Sequence, residues 1–309
     1  MQELSVVVPC FNEEKMLPLF IEEVEKIFEK MEVEVVYYLV NDGSTDQTLS
    51  ILRELAQQNS RIRYLSFSRN FGKEAALLAG LKAAKGDFIT VMDADLQDPP
   101  HLLPEMLRLI CEDDYDVVGT RRSGRKGEPP IRSWFAQVFY KLINNISDTK
   151  MVDGARDFRL MTRQVVDAIL ELKEVNRFSK GLFSWVGFKI AYLSYENRER
   201  IAGETSWSFW SLFKYSLEGI INFSEAPLNI ATFIGVISCL ISFFTMIYYF
   251  VVNLIWDNPV PGWTSTACII LFIGGLQLFC LGIIGKYLGK IFLEVKRRPI
   301  YLIKEKNFD

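Results

Sequence analysis

Two acidic side chains stand where they could hold a metal ion. Asp93 and Asp95 directly follow the apolar run 88–92, which lies between Gly86 and a double proline and predicts a buried strand. Open α/β sheets bind their ligands at the carboxyl ends of such strands. Paired carboxylates repel each other, and a hard cation such as Mg²⁺ or Mn²⁺ relieves that repulsion while bridging a diphosphate. The pair therefore favours a metal site for a nucleotide diphosphate; the alternative is an acidic loop that caps the helix after Pro99.

The elements that must position this pair alternate along the first part of the chain. Short apolar runs predict strands, and the segments between them place leucine and isoleucine at helical spacing. We expect Ser44 or Thr45 to cap the second helix. The alternation predicts an α/β fold with a mostly parallel sheet and helices on both faces. Loops at one edge of that sheet would then converge on a single crevice: 9–14, 41–44, 68–73 and the acidic cluster.

The last third of the chain has a different character. Residues 226–256 and 258–285 carry no charged side chain, and each run exceeds the roughly 20 apolar residues that cross a bilayer. Lysines and arginines follow the second run, whereas the connector around Asp257 has none, so both ends of the hairpin are expected in the cytosol. We predict three parts: a cytosolic domain at 1–205, an interfacial amphipathic helix at 206–226, and at 227–309 two transmembrane helices (about 229–256 and 264–285) with a basic cytosolic tail. A core helix is the alternative for the aromatic segment before the first run.

Composition excludes several classes of protein. A net charge of -3 gives no argument for nucleic acid as a partner. The five cysteines have no C-x-x-C spacing and are expected to be buried and reduced. A single histidine, His101, excludes a multi-histidine metal site. The cationic run 121–132 is either a solvated loop or a contact for lipid head groups or a phosphate.

Five segments carry a resemblance to a known family: VVVPCFNEE, NDGSTD, DADLQDPP, RDFRLM and RERIAGETSW. In this order the chain resembles the inverting family-2 glycosyltransferases with the A-type nucleotide-sugar fold. More narrowly, it resembles the polyprenyl-phosphate glycosyltransferases, a dolichol-phosphate-mannose-synthase-like group that includes bacterial glucosyl carriers with a C-terminal two-helix anchor. The resemblance extends over nearly the whole chain.

The resemblance implies roles for the matching residues. The nucleotide sugar would contact Pro9, Phe11, Glu13, Asp42, Lys73 and Asp93. The metal would be held by Asp93 and Asp95 with Gln97 close by, and Arg121 and Arg200 would contact phosphates. The cationic loop near the interfacial helix, apart from the resemblance, predicts that Arg121, Arg125 and Arg132 hold the acceptor phosphate. Catalysis would involve Asp95, Arg200 and Asp157.

The role of Asp157 stays open, as a base, as a group that only orients the acceptor, or as a turn aspartate paired with Arg156 or Arg159. Two positions depart from the family. Asn41 replaces a common acidic residue, and Ser206 replaces a lysine whose phosphate contact Lys73 or Lys180 could supply.

The expected reaction transfers one sugar, from UDP-glucose or UDP-N-acetylglucosamine, to polyprenyl (undecaprenyl) phosphate with inversion at the cell membrane, for cell-envelope glycosylation. The chain lacks the Q-x-x-R-W segment of polymerising relatives, which favours a single transfer. One alternative is a glycolipid synthase with a hydroxyl lipid acceptor such as diacylglycerol. Another is a non-catalytic membrane binding protein on a transferase scaffold. The sequence leaves self-association into a homo-oligomer open.

Overall fold

The computed structural model describes residues 2–123, 141, 143–147, 150, 152, 154–195, 220–222, 224–255 and 262–309. Most of the cationic run 121–132 therefore lies outside the described residues. So do most of the predicted interfacial helix and the connector between the two charge-free runs.

The described strands form one mixed sheet in the order β7-β5-β6-β4-β1-β2-β3-β8. Strand β1 pairs in parallel with β2 and β4, and β2 pairs in parallel with β3. Strand β6 is antiparallel to both β4 and β5, and β7 is parallel to β5. The strands are β1 (Glu3–Cys10), β2 (Glu34–Asn41), β3 (Ile62–Phe67), β4 (Phe88–Val91), β5 (Val117–Arg122), β6 (Ala155–Thr162), β7 (Ile190–Tyr195) and β8 (Ile303–Lys306).

Helices cover both faces of this sheet. Val6 and Val8 of β1 pack into the core beneath the first helix, whereas Val7 packs on the other face against the third helix. The predicted α/β architecture is thus confirmed. The helices are α1 (Met16–Phe28), α2 (Thr48–Gln58), α3 (Lys73–Ala83), α4 (Leu103–Asp113, after a 3₁₀ turn at Pro100–Leu102), α5 (Arg163–Glu171), α6 (Ser179–Trp185), α7 (Ala226–Ile255) and α8 (Trp263–Lys296).

The start of α2 differs from the expectation that Ser44 or Thr45 caps it. Asp46 instead accepts from the Thr48 main-chain N–H at 3.0 Å and from its hydroxyl at 2.6 Å. Ser44 turns to the loop after β1, where its hydroxyl accepts from the Asn12 N–H. The capping prediction was wrong because the hydroxyls join two loops that lie far apart in sequence.

The C-terminal segment forms a strand that the sequence did not predict. Strand β8 pairs antiparallel with β3, and the Ser68 N–H donates to the Leu302 carbonyl at 3.0 Å. Glu305 accepts two hydrogen bonds from Arg53 and one from the hydroxyl of Tyr64. The end of the predicted basic tail therefore forms an edge strand that covers β3.

Two of the described helices are long and apolar enough to cross a membrane, with qualifying stretches at Ala226–Thr245 and Ile269–Lys296. Their large apolar side chains are mostly exposed. Helix α8 continues past the predicted end at residue 285. In this extension Glu294 accepts hydrogen bonds from the main-chain N–H groups of Val175 and Asn176 at 2.9–3.2 Å. The end of α8, the second of these apolar helices, is thereby fastened to the sheet domain.

The beginning of α7, the first of these apolar helices, is fastened to the same domain. Ser224, just before α7, donates its hydroxyl to the Ile146 carbonyl at 2.6 Å. The hydroxyl of Tyr287 on α8 donates to the Ser224 carbonyl at 2.7 Å. Both ends of the hairpin therefore meet the sheet domain on one side of any membrane that the two helices cross.

This geometry predicts the topology of the hairpin. A tag after Asp309 and a tag before Met1 should both be protected in intact cells, whereas an Asn258→Cys variant should react with a membrane-impermeant maleimide added outside. The wild-type chain serves as the control because it shows the background from the native cysteines. External accessibility of the C-terminal tag would contradict the hairpin.

Candidate active site

A cavity of about 300 Å³ lies at the carboxyl edge of β1, β2 and β4. The loops that leave these strands and the start of α3 form its walls, as the convergence of loops in an open sheet requires. Phe11 stands in this wall with 46% of its surface exposed. Seven residues predicted to bind the nucleotide sugar or the metal line this cavity together: Pro9, Phe11, Glu13, Asp42, Lys73, Asp93 and Asp95.

Asp42 holds the loop after β3 in place. Its two carboxylate oxygens accept from the main-chain N–H groups of Phe71 at 2.7 Å and Gly72 at 2.9 Å. Burial raises the pKa of Asp42, while these two N–H groups and Arg69 oppose the rise. Asp42 thus shapes the cavity wall, and its predicted contact with the nucleotide stays a prediction.

Gly43 allows the loops after β2 and β3 to approach each other. Its φ is +64°, and a Cβ at this position would lie 2.3 Å from the main-chain carbon of Arg69. No other residue type fits such a close approach of two main chains. This requirement explains the glycine that follows Asn41-Asp42.

The neighbouring Asn41 explains one departure from the family. Its side-chain amide donates to the Ser66 hydroxyl at 2.9 Å, and its amide oxygen accepts from the Ser44 N–H at 3.1 Å. Asn41 is buried, and an ionised aspartate could not supply the donor. The asparagine therefore ties β2 to β3 rather than facing the cavity.

Lys73 forms ion pairs with two acidic residues of the site, Asp93 and Asp157. Its Nζ lies 2.7 Å and 2.9 Å from the two carboxylate oxygens of Asp93 and 2.7 Å from Oδ2 of Asp157. Burial opposes ionisation of Asp157, but Lys73 and then Lys180 outweigh it and hold the pKa of Asp157 well below its usual range. Burial raises the pKa of Asp93, against the effect of Lys73. One ammonium group thus balances two partly buried carboxylates.

The two arginines that flank Asp157 donate their hydrogen bonds to groups other than its carboxylate. Arg156 donates to Asp98 at 2.9 Å and to the amide oxygen of Gln97 at 3.3 Å. Arg159 is buried and donates to the main-chain carbonyls of Arg156 and Asp157. The alternative of a turn aspartate whose carboxylate pairs with Arg156 or Arg159 was therefore wrong.

Asp98 was missed in the sequence analysis. Only 1% of its side chain is exposed, and its Oδ1 accepts from Arg156 and from the Tyr195 hydroxyl, the latter at 2.6 Å. The sequence offered one indication of this role, because Asp98 is a third acidic residue only five positions after Asp93. This network also holds Gln97, which the structure turns toward Arg156.

The acidic cluster does not cap the following helix. Neither the 3₁₀ turn at Pro100–Leu102 nor α4 has a side-chain hydrogen bond at its N-cap. Instead Leu96 adopts a positive φ of 55°, and the Gln97 N–H donates to Asp95 at 3.1 Å. The capping alternative was wrong because this tight turn keeps Asp95 at the cavity.

The predicted phosphate-binding arginines are only partly described. Arg121 is the last residue but one of β5, lies on the same sheet edge as Asp93, and donates to the Ser194 hydroxyl at 2.9 Å. Arg125, Arg132 and Arg200 lie outside the described residues. Their roles stay predictions.

The acidic residues of the cavity fit a divalent cation that a ligand helps to hold. Within the described part of the chain, no group of three or more His, Cys, Asp or Glu side chains could enclose a metal ion. Asp93 and Asp95 nevertheless present oxygen ligands at one cavity, the donor type that Mg²⁺ and Mn²⁺ prefer. Mg²⁺ is commonly bound by one or two carboxylates together with substrate phosphates, so the pair fits such an ion.

The sheet, the loops at its carboxyl edge and the acidic cavity define a nucleotide-sugar transferase domain of the A type. The family described as "Glycosyl transferase family 2" matches residues 5–170. The chain belongs to this family and is an inverting glycosyltransferase.

Two relatives match over nearly their whole lengths. A putative glycosyltransferase, CsbB, from Bacillus subtilis is 44% identical over 98% of this chain and 92% of its own. An SfII prophage-derived bactoprenol glucosyl transferase from Shigella flexneri is 42% identical over 99% of this chain and 98% of its own. Among solved structures, mannosyl-3-phosphoglycerate synthase from Rubrobacter xylanophilus matches with a TM-score of 0.50 and 18% identity, over 71% of this chain and 72% of that chain. This last likeness shows the fold alone.

The ion pairs of Lys73 predict how stability depends on pH. In the wild type, the depressed pKa of Asp157 contributes stability that is present above about pH 4 and is lost as the pH falls toward the folded-state pKa. In a Lys73→Met variant the two partly buried carboxylates of Asp93 and Asp157 lose the cation between them, so their pKa values rise. Protonation then relieves their mutual repulsion as the pH falls. We expect the loss of melting temperature, measured in EDTA, to be larger at about pH 7.5 than at about pH 5.

Lys85→Met is the matched control because Lys85 is an exposed lysine two residues after the end of α3. Its effect should be small and should not vary between the two pH values. A loss of melting temperature in Lys73→Met that is equal at both pH values would contradict this explanation of how the charges affect stability.

Proposed function

We propose that this enzyme transfers one glucose from UDP-glucose to polyprenyl phosphate, in bacteria undecaprenyl phosphate, at the membrane surface. The name of the Shigella flexneri relative, a bactoprenol glucosyl transferase, supports glucose as the sugar and bactoprenol as the carrier. The observation that carries the proposal is the pairing of Asp157 with Lys73, a residue that lines the cavity. The domain that contains this cavity is fastened to two helices that are long and apolar enough to cross a membrane.

The donor diphosphate is proposed to bind at the carboxylates and Lys73. A divalent cation, Mg²⁺ or Mn²⁺, held by Asp93 and Asp95 would neutralise charge on the departing diphosphate. Lys73 is already within the cavity and can donate to a phosphate oxygen. Gln97 acts indirectly in this proposal, since its amide oxygen accepts from Arg156.

The state of Asp157 favours a phosphate acceptor over a hydroxyl acceptor. An efficient general base has a pKa near the working pH, whereas the ion pair with Lys73 keeps the pKa of Asp157 low. A lipid phosphate is already ionised at neutral pH and needs no strong base. Asp157 is therefore proposed to orient the acceptor, and a glycolipid synthase that deprotonates a hydroxyl lipid fits the site less well.

Attack from the face opposite the diphosphate inverts the anomeric centre. The α-linked sugar of the donor becomes a β-linked lipid phosphate, and the positioned groups fix the approach of the two substrates. We propose that Arg121, with Arg125, Arg132 and Arg200, binds the phosphates, since guanidinium groups form paired hydrogen bonds to them. Arg121 already lies on the sheet edge that carries Asp93.

The enzyme is proposed to work at the cytosolic face of the cell membrane as a multi-pass protein. The contacts of Glu294 and Ser224 support a hairpin whose two ends meet the catalytic domain. A domain held this close to the bilayer can reach the phosphate of a lipid that stays in the membrane.

Removing Asp95 tests the metal site. Asp95→Ala should lower the turnover of UDP-glucose and polyprenyl phosphate by about 10³-fold, because the charge that develops on the diphosphate is no longer neutralised. EDTA should abolish the activity of the wild type, and Mg²⁺ or Mn²⁺ should restore it. The measurement is the initial rate in detergent with each metal.

Asp113→Ala is the control, because Asp113 lies on the surface and faces Arg108. It should retain the wild-type rate and the wild-type melting temperature. Full activity of Asp95→Ala in the presence of EDTA would show that Asp95 does not act through a metal.

The product tests the acceptor and the number of sugars transferred. With a panel of nucleotide sugars and a polyprenyl phosphate, we expect UDP-glucose to give a single β-linked glucosyl phospholipid. Mild acid should release its sugar, whereas a glycoside on diacylglycerol would survive the same treatment. Mass spectrometry and anomeric NMR decide the result. An α-linked product or a ladder of sugars would refute the mechanism, and preference for UDP-N-acetylglucosamine would refute the choice of sugar.

A further inference from the structure

The C-terminal segment reaches the wall of the donor cavity through a row of aromatic rings. The ring of Tyr301 stacks on Phe67 with centroids 4.9 Å apart and planes 16° apart. Phe67 in turn contacts Phe71 edge to face, with centroids 5.7 Å apart. Phe67 is buried, and the other two rings are partly buried in the same cluster beside α3.

The last ring of this row belongs to the loop that forms the cavity. The main-chain N–H groups of Phe71 and Gly72 donate to Asp42, and the Arg69 guanidinium lies 4.0 Å from the centroid of the Phe71 ring. Asn70 and Gly72 line the cavity directly, and Lys73 begins α3 immediately afterwards. A displacement of Phe71 would therefore move groups that face the donor.

The main chain of the C-terminal segment restrains the same loop at its other end. The Ser68 N–H donates to the Leu302 carbonyl at 3.0 Å, one residue after β3 ends. The loop 69–72 is thus held by the C-terminal segment at its start and by the ring of Tyr301 through Phe67 and Phe71.

We propose that Tyr301 is a positioning residue for the donor cavity: its ring packs on Phe67, which in turn contacts Phe71, and this packing keeps loop 69–72 in the conformation that binds the nucleotide sugar. The proposal rests on the proposed function of the cavity. Tyr301 follows the end of α8 by only five residues. The conformation of the donor site therefore depends on a segment that is continuous with the second long apolar helix.

Removing the Tyr301 ring should change the KM for the donor and not the KM for the acceptor. Tyr301→Ala should raise the KM for UDP-glucose about fivefold, because an aromatic contact of this kind contributes modestly and here acts through two further rings. The kcat and the KM for polyprenyl phosphate should stay near the wild-type values. Tyr301→Phe keeps the stacked ring and should restore the donor KM.

Glu305→Gln is the matched control in the same segment. It weakens the ion pair between Glu305 on β8 and Arg53 on α2 but leaves the aromatic row in place. Its donor KM should equal that of the wild type. If Tyr301→Ala does not fold, Tyr301→Leu keeps an apolar side chain without the flat ring and should show the same donor-specific effect.

Hydrogen exchange separates this inference from the proposed function. The amides of Phe71 and Gly72 should exchange faster in Tyr301→Ala than in Glu305→Gln, whatever the substrate. If the wild type does not use UDP-glucose but this difference is found, the proposed donor is wrong and the positioning role stands. Unchanged exchange at both amides, a donor KM within about twofold of wild type, or an equal rise in both KM values overturns the role of Tyr301.

Discussion

The placement of one ammonium group between two carboxylates governs the rest of this site. Asp93 follows β4 and Asp157 lies in β6, so both strands bring negative charge to the same edge of the sheet. Neighbouring buried carboxylates are costly unless a cation balances them. Lys73 supplies that charge from the first turn of α3, and the start of α3 depends in turn on the loop that Asp42 holds. The charges of the site are thus coupled to the folding of a loop.

The two long apolar helices, α7 and α8, extend this dependence beyond the sheet domain. Glu294 of α8 binds the main chain at Val175 and Asn176, just before α6, and α6 carries Lys180. The carboxylate of Glu74, the residue after Lys73, accepts from the N–H and the hydroxyl of Ser179 at the start of α6. Hydrogen bonds between ionised carboxylates and main-chain N–H groups are among the stronger ones in proteins. Helix α6 is therefore held between the active-site helix and the membrane helix.

Local signals in the sequence were reliable where a short segment decides its own structure. The buried strands, the amphipathic helices and the acidic turn after β4 all follow from side-chain periodicity and the placement of glycine and proline. Convergence of the loops followed from the parallel order of β1, β2 and β4, and for this reason seven predicted residues line one cavity. Partners that depend on side-chain direction were missed, as the pairing of Arg156 with Asp98 and of Lys73 with Asp157 illustrates.

By itself, the sequence determined the fold class, the two apolar helices and the set of residues that could hold a metal and a diphosphate, since each depends on composition or on spacing within a few residues. Only the tertiary structure decided that Asp157 is paired with Lys73, that Asp98 is buried against Arg156 and Tyr195, and that β8 covers β3. Strand β8 is four residues long, and three of its residues are charged, so its local pattern resembles a solvated tail. Its partner lies more than 230 residues earlier, as the bond from Tyr64 to Glu305 across 241 positions shows. A contact over that separation is set by how the whole chain packs, and no local pattern encodes it.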